Sequence, residues 1–244
     1  MLSLLELSFY LAYLFLAGST PLTAFEIFNH FPDKYEPLKY ILAIETTVNI
    51  IASFAYSQLL TFSKNPINYS SITNFRYLDW FATTPLLLIS FTLYLQYKKN
   101  ISSNTNNNNN DQNKPTAQFD FNKLGIIILL NLIMLIFGFM GETGRMNHIL
   151  ACITGFIPFI IMFYLIWQWY GDVMKNKNIF GVFVVVWSLY GLVYFLPNTS
   201  KNISYNILDI IAKVGFGLLV WFEVVQLRLT NQMDNQKKYQ EFYV

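Results

Sequence analysis

Seven apolar stretches come close to the ~20 residues that a helix needs to cross a bilayer. They are Leu5 to Phe28, Tyr40 to Phe62, Phe75 to Tyr97, Leu124 to Met140, Ile149 to Tyr170, Ile179 to Phe195 and Ile203 to Leu227. In hydrocarbon every backbone N–H and C=O must find its partner within the protein, which leaves helices as the outcome for isolated stretches of this length. The spacing predicts an all-α membrane protein, a bundle of seven transmembrane helices. Charged residues are only 12% of the 244, about half the ~25% of a soluble domain. The first stretch reads as a span and not as a cleaved signal, because no Lys or Arg precedes it and Glu6 stands where a signal peptide carries positive charge.

The basic residues give the direction of the chain. Eleven Lys and Arg lie in the first, third and fifth connections and the tail (34, 39, 98, 99, 114, 123, 175, 177, 228, 237 and 238), against three on the opposite face (64, 145 and 201). The positive-inside rule then predicts an N-terminus outside and a C-terminus in the cytoplasm. The expected location is a host or cell membrane, with the lipid bilayer as the immediate partner. A formal charge of +2, carried in short loop clusters, argues against nucleic acid. Cys152 is the only cysteine, which rules out an intrachain disulfide, a Cys-based zinc site and a Cys-x-x-Cys redox pair, and no metal site is predicted. Residues 1–230 read as one membrane domain. Within it, 98–122, with an unbroken Asn106 to Asn110 run and Lys114-Pro115, reads as a disordered cytoplasmic loop, and 231–244 as a cytoplasmic tail.

Ionisable groups at bilayer depth are costly and point to function. The chain places Arg76 and Asp79 in the third stretch, Asp209 and Lys213 in the seventh, and Glu45 in the second. Asp209 and Lys213 are four residues apart, hence one turn apart on one face. Arg76, Asp79, Thr83 and Ser90 follow steps of 3, 4 and 7, which makes a polar stripe along one side of the third helix. As structure alone the stripe is interhelical glue, yet its carboxylate asks for a second buried cation, and Lys213 is the candidate. A buried lysine beside carboxylates is either a plain ammonium or an amine that condenses with an aldehyde. Trp80, Tyr77, Tyr56, Trp187, Tyr190 and Tyr194 would surround it, an aromatic set that reads as core by itself and as a box for a long conjugated aldehyde once the lysine is added.

These residues resemble the microbial (type 1) rhodopsins. Arg76-Tyr77-Leu78-Asp79-Trp80-Phe81-Ala82-Thr83-Thr84-Pro85-Leu86-Leu87 is similar to that family's R-Y-x-D-W-x-x-T-x-P-L-L signature, and Leu208-Asp209-Ile210-Ile211-Ala212-Lys213 to its D-x-x-x-K attachment motif. Trp187-Ser188-Leu189-Tyr190 resembles the family's W-x-x-Y, and Phe137 to Gly144 resembles the region between the fourth and fifth helices of proteorhodopsins. The resemblance implies all-trans-retinal held by Lys213 as a Schiff base, Asp79 as counterion and primary proton acceptor, Asp209 as second counterion and Arg76 as a gate on the outer side. It implies hydrogen bonds to Asp209 from Tyr56 and Tyr190. It also implies a pocket lined by Tyr77, Trp80, Thr83, Thr84, Leu87, Met134, Gly138, Trp187, Tyr190 and Tyr194, with Leu87 matching relatives that absorb green light.

The departures bear on what such a protein does. Ser90 stands where outward proton pumps often carry a carboxylic donor, and no Asp or Glu lies between the sixth and seventh stretches. The triplet Asp79, Thr83 and Ser90 resembles rhodopsins of giant viruses that infect protists, among which are both proton transporters and light-gated cation channels. Glu45, eleven residues before Tyr56, falls near the depth of Ser90 and could reprotonate the Schiff base or line a cation path with Asn49. Glu26 and Glu223 read as solvated. The expected function is light-driven ion transport, not enzyme catalysis, with outward transfer of H+ from Lys213 to Asp79. A light-gated channel for small cations is the alternative, and a sensor coupled to a partner ranks third. A transporter without retinal leaves Lys213 beside Asp209 unexplained. Self-association into a homo-oligomer stays open.

Overall fold

The computed structural model describes residues 2–29, 35–64, 66–106, 120–171 and 178–242. Eight α-helices and one π-helical segment follow in order: α1 (Leu4–Ile27), α2 (Glu36–Phe62), α3 (Tyr69–Asn106), α4 (Phe121–Glu142), α5 (His148–Tyr170), α6 (Asn178–Val193), α7 (Asn198–Asp209), the π segment (Ile210–Gly215) and α8 (Phe216–Phe242). The last three run on without a break, since Asp209 and Phe216 both keep right-handed helical dihedrals, so they form a single seventh column. Sequential helices pack side by side and α7 meets both α1 and α6, which closes the ring. No strand occurs among the described residues.

The apolar stretches become helices, and the burial pattern is that of an integral multi-pass membrane protein. Five helices are long and apolar enough to cross a bilayer by themselves, and α6 adds a shorter apolar one. Large apolar side chains such as Leu14, Phe54, Ile160 and Val185 face outward, whereas Glu45, Asn49, Arg76, Asp79, Asp209 and Lys213 are each at most 3% exposed. Water would reverse this arrangement; lipid favours it. Pro21, Pro85 and Pro158 lie inside helices, as spans allow where neighbouring groups take up the freed carbonyls.

The helices outrun the apolar stretches at the face that carries the C-terminus. The expected disordered loop of 98–122 is helical over its first residues, because α3 continues through residue 106. Its first residues are tied down: Lys98 pairs with Glu223 of α8, and Lys99 Nζ donates to the Trp169 carbonyl at 3.3 Å. At the other end of that segment Asp120 caps α4 by accepting from the Lys123 N–H at 3.2 Å. The expected tail of 231–244 is helical through Phe242, since Gln, Lys, Glu and Met propagate a helix without an apolar face. Residues 107–119, which hold most of the Asn run, and Lys175 and Lys177 lie outside the described residues. On the opposite face α4 and α5 are joined tightly. Gly144 takes a φ of 71°, the one left-handed residue there, and Arg145 and Met146 return their N–H groups to the Met140 carbonyl at 2.9 and 3.1 Å.

Candidate functional site

Lys213 sits in the π segment, where the backbone makes one wide turn inside the seventh column. Such turns arise as single insertions within α-helices and concentrate at functional sites. The wide turn still leaves Asp209 and Lys213 adjacent, with Nζ 3.5 Å from Asp209 Oδ2. A shorter contact crosses to α3, where Lys213 Nζ lies 2.5 Å from Asp79 Oδ2. Arg76, one turn before Asp79, places Nη1 at 3.6 Å from Asp209 Oδ2. Two basic and two acidic side chains therefore share one buried site, their formal charges in balance.

The two carboxylates are held differently. Asp209 accepts from Tyr56 Oη at 2.8 Å, Tyr190 Oη at 2.7 Å and Trp80 Nε1 at 3.1 Å, in addition to its two cations. Asp79 meets Lys213 through Oδ2, while its buried Oδ1 has no partner. A carboxylate that accepts several hydrogen bonds holds its charge firmly, and one with a free oxygen has room to accept a proton. Arg76 is tied from the opposite side by Asn206 Oδ1 at 2.7 Å and Asn202 Oδ1 at 3.2 Å, and Asn206 in turn donates to Ser8 Oγ on α1 at 2.9 Å. Asn198, Asn202, Asn206, Asp209 and Lys213 follow steps of 4, 4, 3 and 4, so this polar edge was present in the sequence as a helical period.

From Lys213 a cavity extends between α3, α4, α5 and α6. Of the expected lining residues, Tyr77, Trp80, Thr84, Leu87, Met134, Gly138, Trp187, Tyr190 and Tyr194 do line it. Thr83 does not: its Oγ1 turns back onto the Asp79 carbonyl at 2.8 Å, and the wall is made by positions 77, 80, 84 and 87, one residue further round the helix. Tyr56 stands behind Asp209 and is not in the cavity wall. The α5 wall of Cys152, Gly155, Phe156 and Phe159 was missed, although its steps of 3, 1 and 3 trace one helix face; an all-apolar run hides which face points inward.

The lining suits a long apolar aldehyde: Lys213 brings an amine to the wall, Trp80, Leu87 and Trp187 supply apolar surfaces, and Trp187 Nε1 is buried without a partner. Glycines keep the cavity clear where side chains would close on one another. A Cβ at Gly138 would lie 2.8 Å from Tyr77 Oη, and one at Gly191 would lie 2.2 Å from the Phe156 ring.

Residues 3–227 match the family described as bacteriorhodopsin-like protein. The chain belongs to that family. This bacteriorhodopsin-like chain is similar to the viral rhodopsin OLPVRII, whose crystal structure superposes with a TM-score of 0.77 at 29% identity, covering 92% of this chain and 99% of that one. Blue light-absorbing proteorhodopsin from Med12 superposes at 0.69 with 25% identity, covering 92% and 98%. In sequence it is 29% identical over 169 residues to the green-light absorbing proteorhodopsin of Gamma-proteobacterium EBAC31A08, covering 62% of this chain and 61% of the relative. The match thus spans about three fifths of that proteorhodopsin's length.

Toward the C-terminal face a second polar group lies beyond Lys213. Ser90 Oγ donates to Glu45 Oε1 and also reaches the Leu87 carbonyl at 2.9 Å. Glu45 Oε2 and both polar atoms of the Asn49 amide are buried without partners. Further out, Glu26 is 2% exposed and pairs with Arg228 Nε at 2.7 Å, and Glu223 accepts from Tyr94 Oη at 2.7 Å as well as pairing with Lys98. The expectation that Glu26 is solvated is corrected by its burial, whereas Glu223 stays partly exposed beside Lys98. Each carboxylate meets a base on another helix, a relation that a single sequence does not display.

Proposed function

We propose that this chain is a retinal photoreceptor that transports protons outward in light, by transfer from Lys213 to Asp79. The observation that carries this reading is the asymmetry of the two carboxylates: Asp79 touches Lys213 at 2.5 Å with one oxygen free, whereas Asp209 is saturated. All-trans-retinal joined to Lys213 would supply light absorption and a bond isomerisation that changes the direction of the N–H. Lys213 holds a proton at its nitrogen in the dark, and Asp79 Oδ2 is the nearest base. Moving that proton converts four buried formal charges into two without changing their sum, a change that a site of low dielectric favours once the N–H···O contact is broken. Arg76 and Asp209 keep each other charged throughout.

Direction follows from the order of groups along the bundle. With the basic connections inside, Asp79, Arg76 and Asn202 lie on the outer side of Lys213 and Glu45 on the inner side. Glu45 is the proton source that restores the nitrogen. No ion pair among the described residues reaches Glu45, and an acid form avoids an isolated buried charge.

One observation favours the second reading, a light-gated cation channel: the unpartnered Asn49 amide beside Glu45 could line a path for a small cation. Photocurrent measured over a range of membrane voltages decides between them. The pump keeps one sign of current at moderate voltages, while a channel reverses at a potential set by the ion gradients. Reversal that tracks a cation gradient would overturn the proposal.

A further inference from the structure

Gly217 lies four residues beyond Lys213, hence one turn further along the same face of the seventh column. A Cβ there would stand 3.6 Å from Glu45 Oε2, 3.6 Å from Asn49 Nδ2 and 3.6 Å from Glu45 Cβ. One point in space is therefore faced by two polar atoms that are fully buried and have no protein partner. Asn49 Oδ1 is buried and unpartnered as well, and Ser90 occupies only the other oxygen of Glu45. Buried polar groups are satisfied by protein or by ordered water, and a water with two to four polar partners is the usual solution.

From this juxtaposition we infer that Gly217 and Asn49 are positioning residues that seat a water between Glu45 and Lys213, and that the missing side chain at 217 keeps its place open. Glu45 donates its proton to this water, which passes one on toward the Lys213 nitrogen. Glu45 ends as the carboxylate, the water is regenerated and the nitrogen is protonated. Asn49 orients the water through its amide, and Ser90 fixes the carboxyl. Among the described residues the packing nearby is largely apolar: Leu87 and Phe91 on α3, Phe183 on α6 and Phe216 on α8 belong to one buried cluster. This inference rests on the reading of Glu45 as proton source, so Glu45→Gln is measured beside it.

The experiment is flash photolysis of the retinal-loaded protein with difference infrared spectroscopy of the Glu45 carboxyl. It compares wild type, Gly217→Ala, Asn49→Leu and Glu45→Gln. Contacts of 3.6 Å are ordinary van der Waals distances, so the alanine is accommodated and fills the water's place. Gly217→Ala and Asn49→Leu are expected to keep the dark absorption maximum and the rate of proton loss from Lys213, to slow reprotonation by about tenfold or more, a part of the ~10²–10⁴ that a placed acid provides, and to shift the Glu45 carboxyl band. Azide, a small permeant acid, is expected to restore the rate in both, which a merely structural lesion would not allow. If Glu45→Gln slows reprotonation while both other variants recover at the wild-type rate with an unshifted carboxyl band, the seated water is overturned and the role of Glu45 stands. If Glu45→Gln recovers at the wild-type rate, the role of Glu45 falls, and with it the relay.

Discussion

The two halves of the bundle axis handle buried charge in opposite ways. On the N-terminal side of Lys213, Asp209, Arg76, Tyr56, Tyr190, Asn202, Asn206 and Ser8 form a network in which nearly every polar atom has a protein partner. On the C-terminal side, Glu45 and Asn49 retain three buried polar atoms without one, under a stacked apolar cluster in which Phe91 lies 4.1 Å from Phe183. A satisfied network is rigid and holds charge in one place. An under-satisfied one has groups left to rearrange. The difference teaches that the first half holds a fixed electrostatic field around Lys213, whereas the second keeps buried polar groups that have no protein partner.

The largest expected effect removes the junction between the halves. Lys213→Ala should abolish the visible absorption band, because no other lysine among the described residues lies in the cavity; a pigment retained and trapped by borohydride on another lysine would contradict the site. Next comes the contrast between carboxylates. Asp79→Asn should slow proton loss from Lys213 by about 10² or more, since it removes the base. Asp209→Asn should leave an acceptor in place yet cost about 3 kcal/mol, because Arg76 loses the carboxylate it faces in a buried site. Flash photolysis and thermal bleaching, measured on both variants, separate the two effects, and equal slowing in both would erase the asymmetry.

Acid titration sharpens the same contrast. As pH falls, protonation of Asp79 removes a negative charge beside the protonated nitrogen, so the band should move red. The Asp79→Asn pigment should already be red-shifted and should lack that transition, and a transition of full size in it would assign the colour change to Asp209. The smallest effect concerns shape alone. Gly191→Ala forces a Cβ to within 2.2 Å of the Phe156 ring, and the overpacking should cost about 1–3 kcal/mol, seen as faster bleaching. Unchanged bleaching would show that Phe156 turns aside freely.

Much of this was legible in the sequence, and the limits are physical. Apolar length revealed the seven columns, because lipid dictates it residue by residue. Helical period placed Arg76 and Asp79 on one face and set Asp209 one turn from Lys213. The period was less informative where a stretch is apolar all round, which is why the α5 wall of the cavity stayed hidden; Thr83, a lining residue by resemblance alone, lies on the neighbouring polar stripe with its hydroxyl on the Asp79 carbonyl. Partnerships between helices far apart in sequence, such as Glu26 with Arg228 or Asn206 with Ser8, depend on how columns face one another, and no spacing within one segment encodes that. The helical reach of α3 beyond Tyr97 escaped for a related reason, since polar residues there extend the helix without an apolar signature.

The wide turn at Lys213 has a mechanical side. An α-helix transmits a push along its axis almost as a solid rod, whereas bends in helices gather at π turns, where the regular hydrogen-bond ladder is interrupted. Here the wide turn closes just past the lysine, with the Phe216 N–H returning to the Lys213 carbonyl three residues back. The residue that would feel any change in the length or bend of an attached chromophore is thus mounted on the joint of its column. α7 is clamped at one end by the Arg76 network, and α8 is gripped at the other by Arg228 and Glu223 through Glu26 and Lys98. A push delivered at Lys213 thus meets a joint between two anchored levers, and Gly217, which faces Glu45, lies just past that joint.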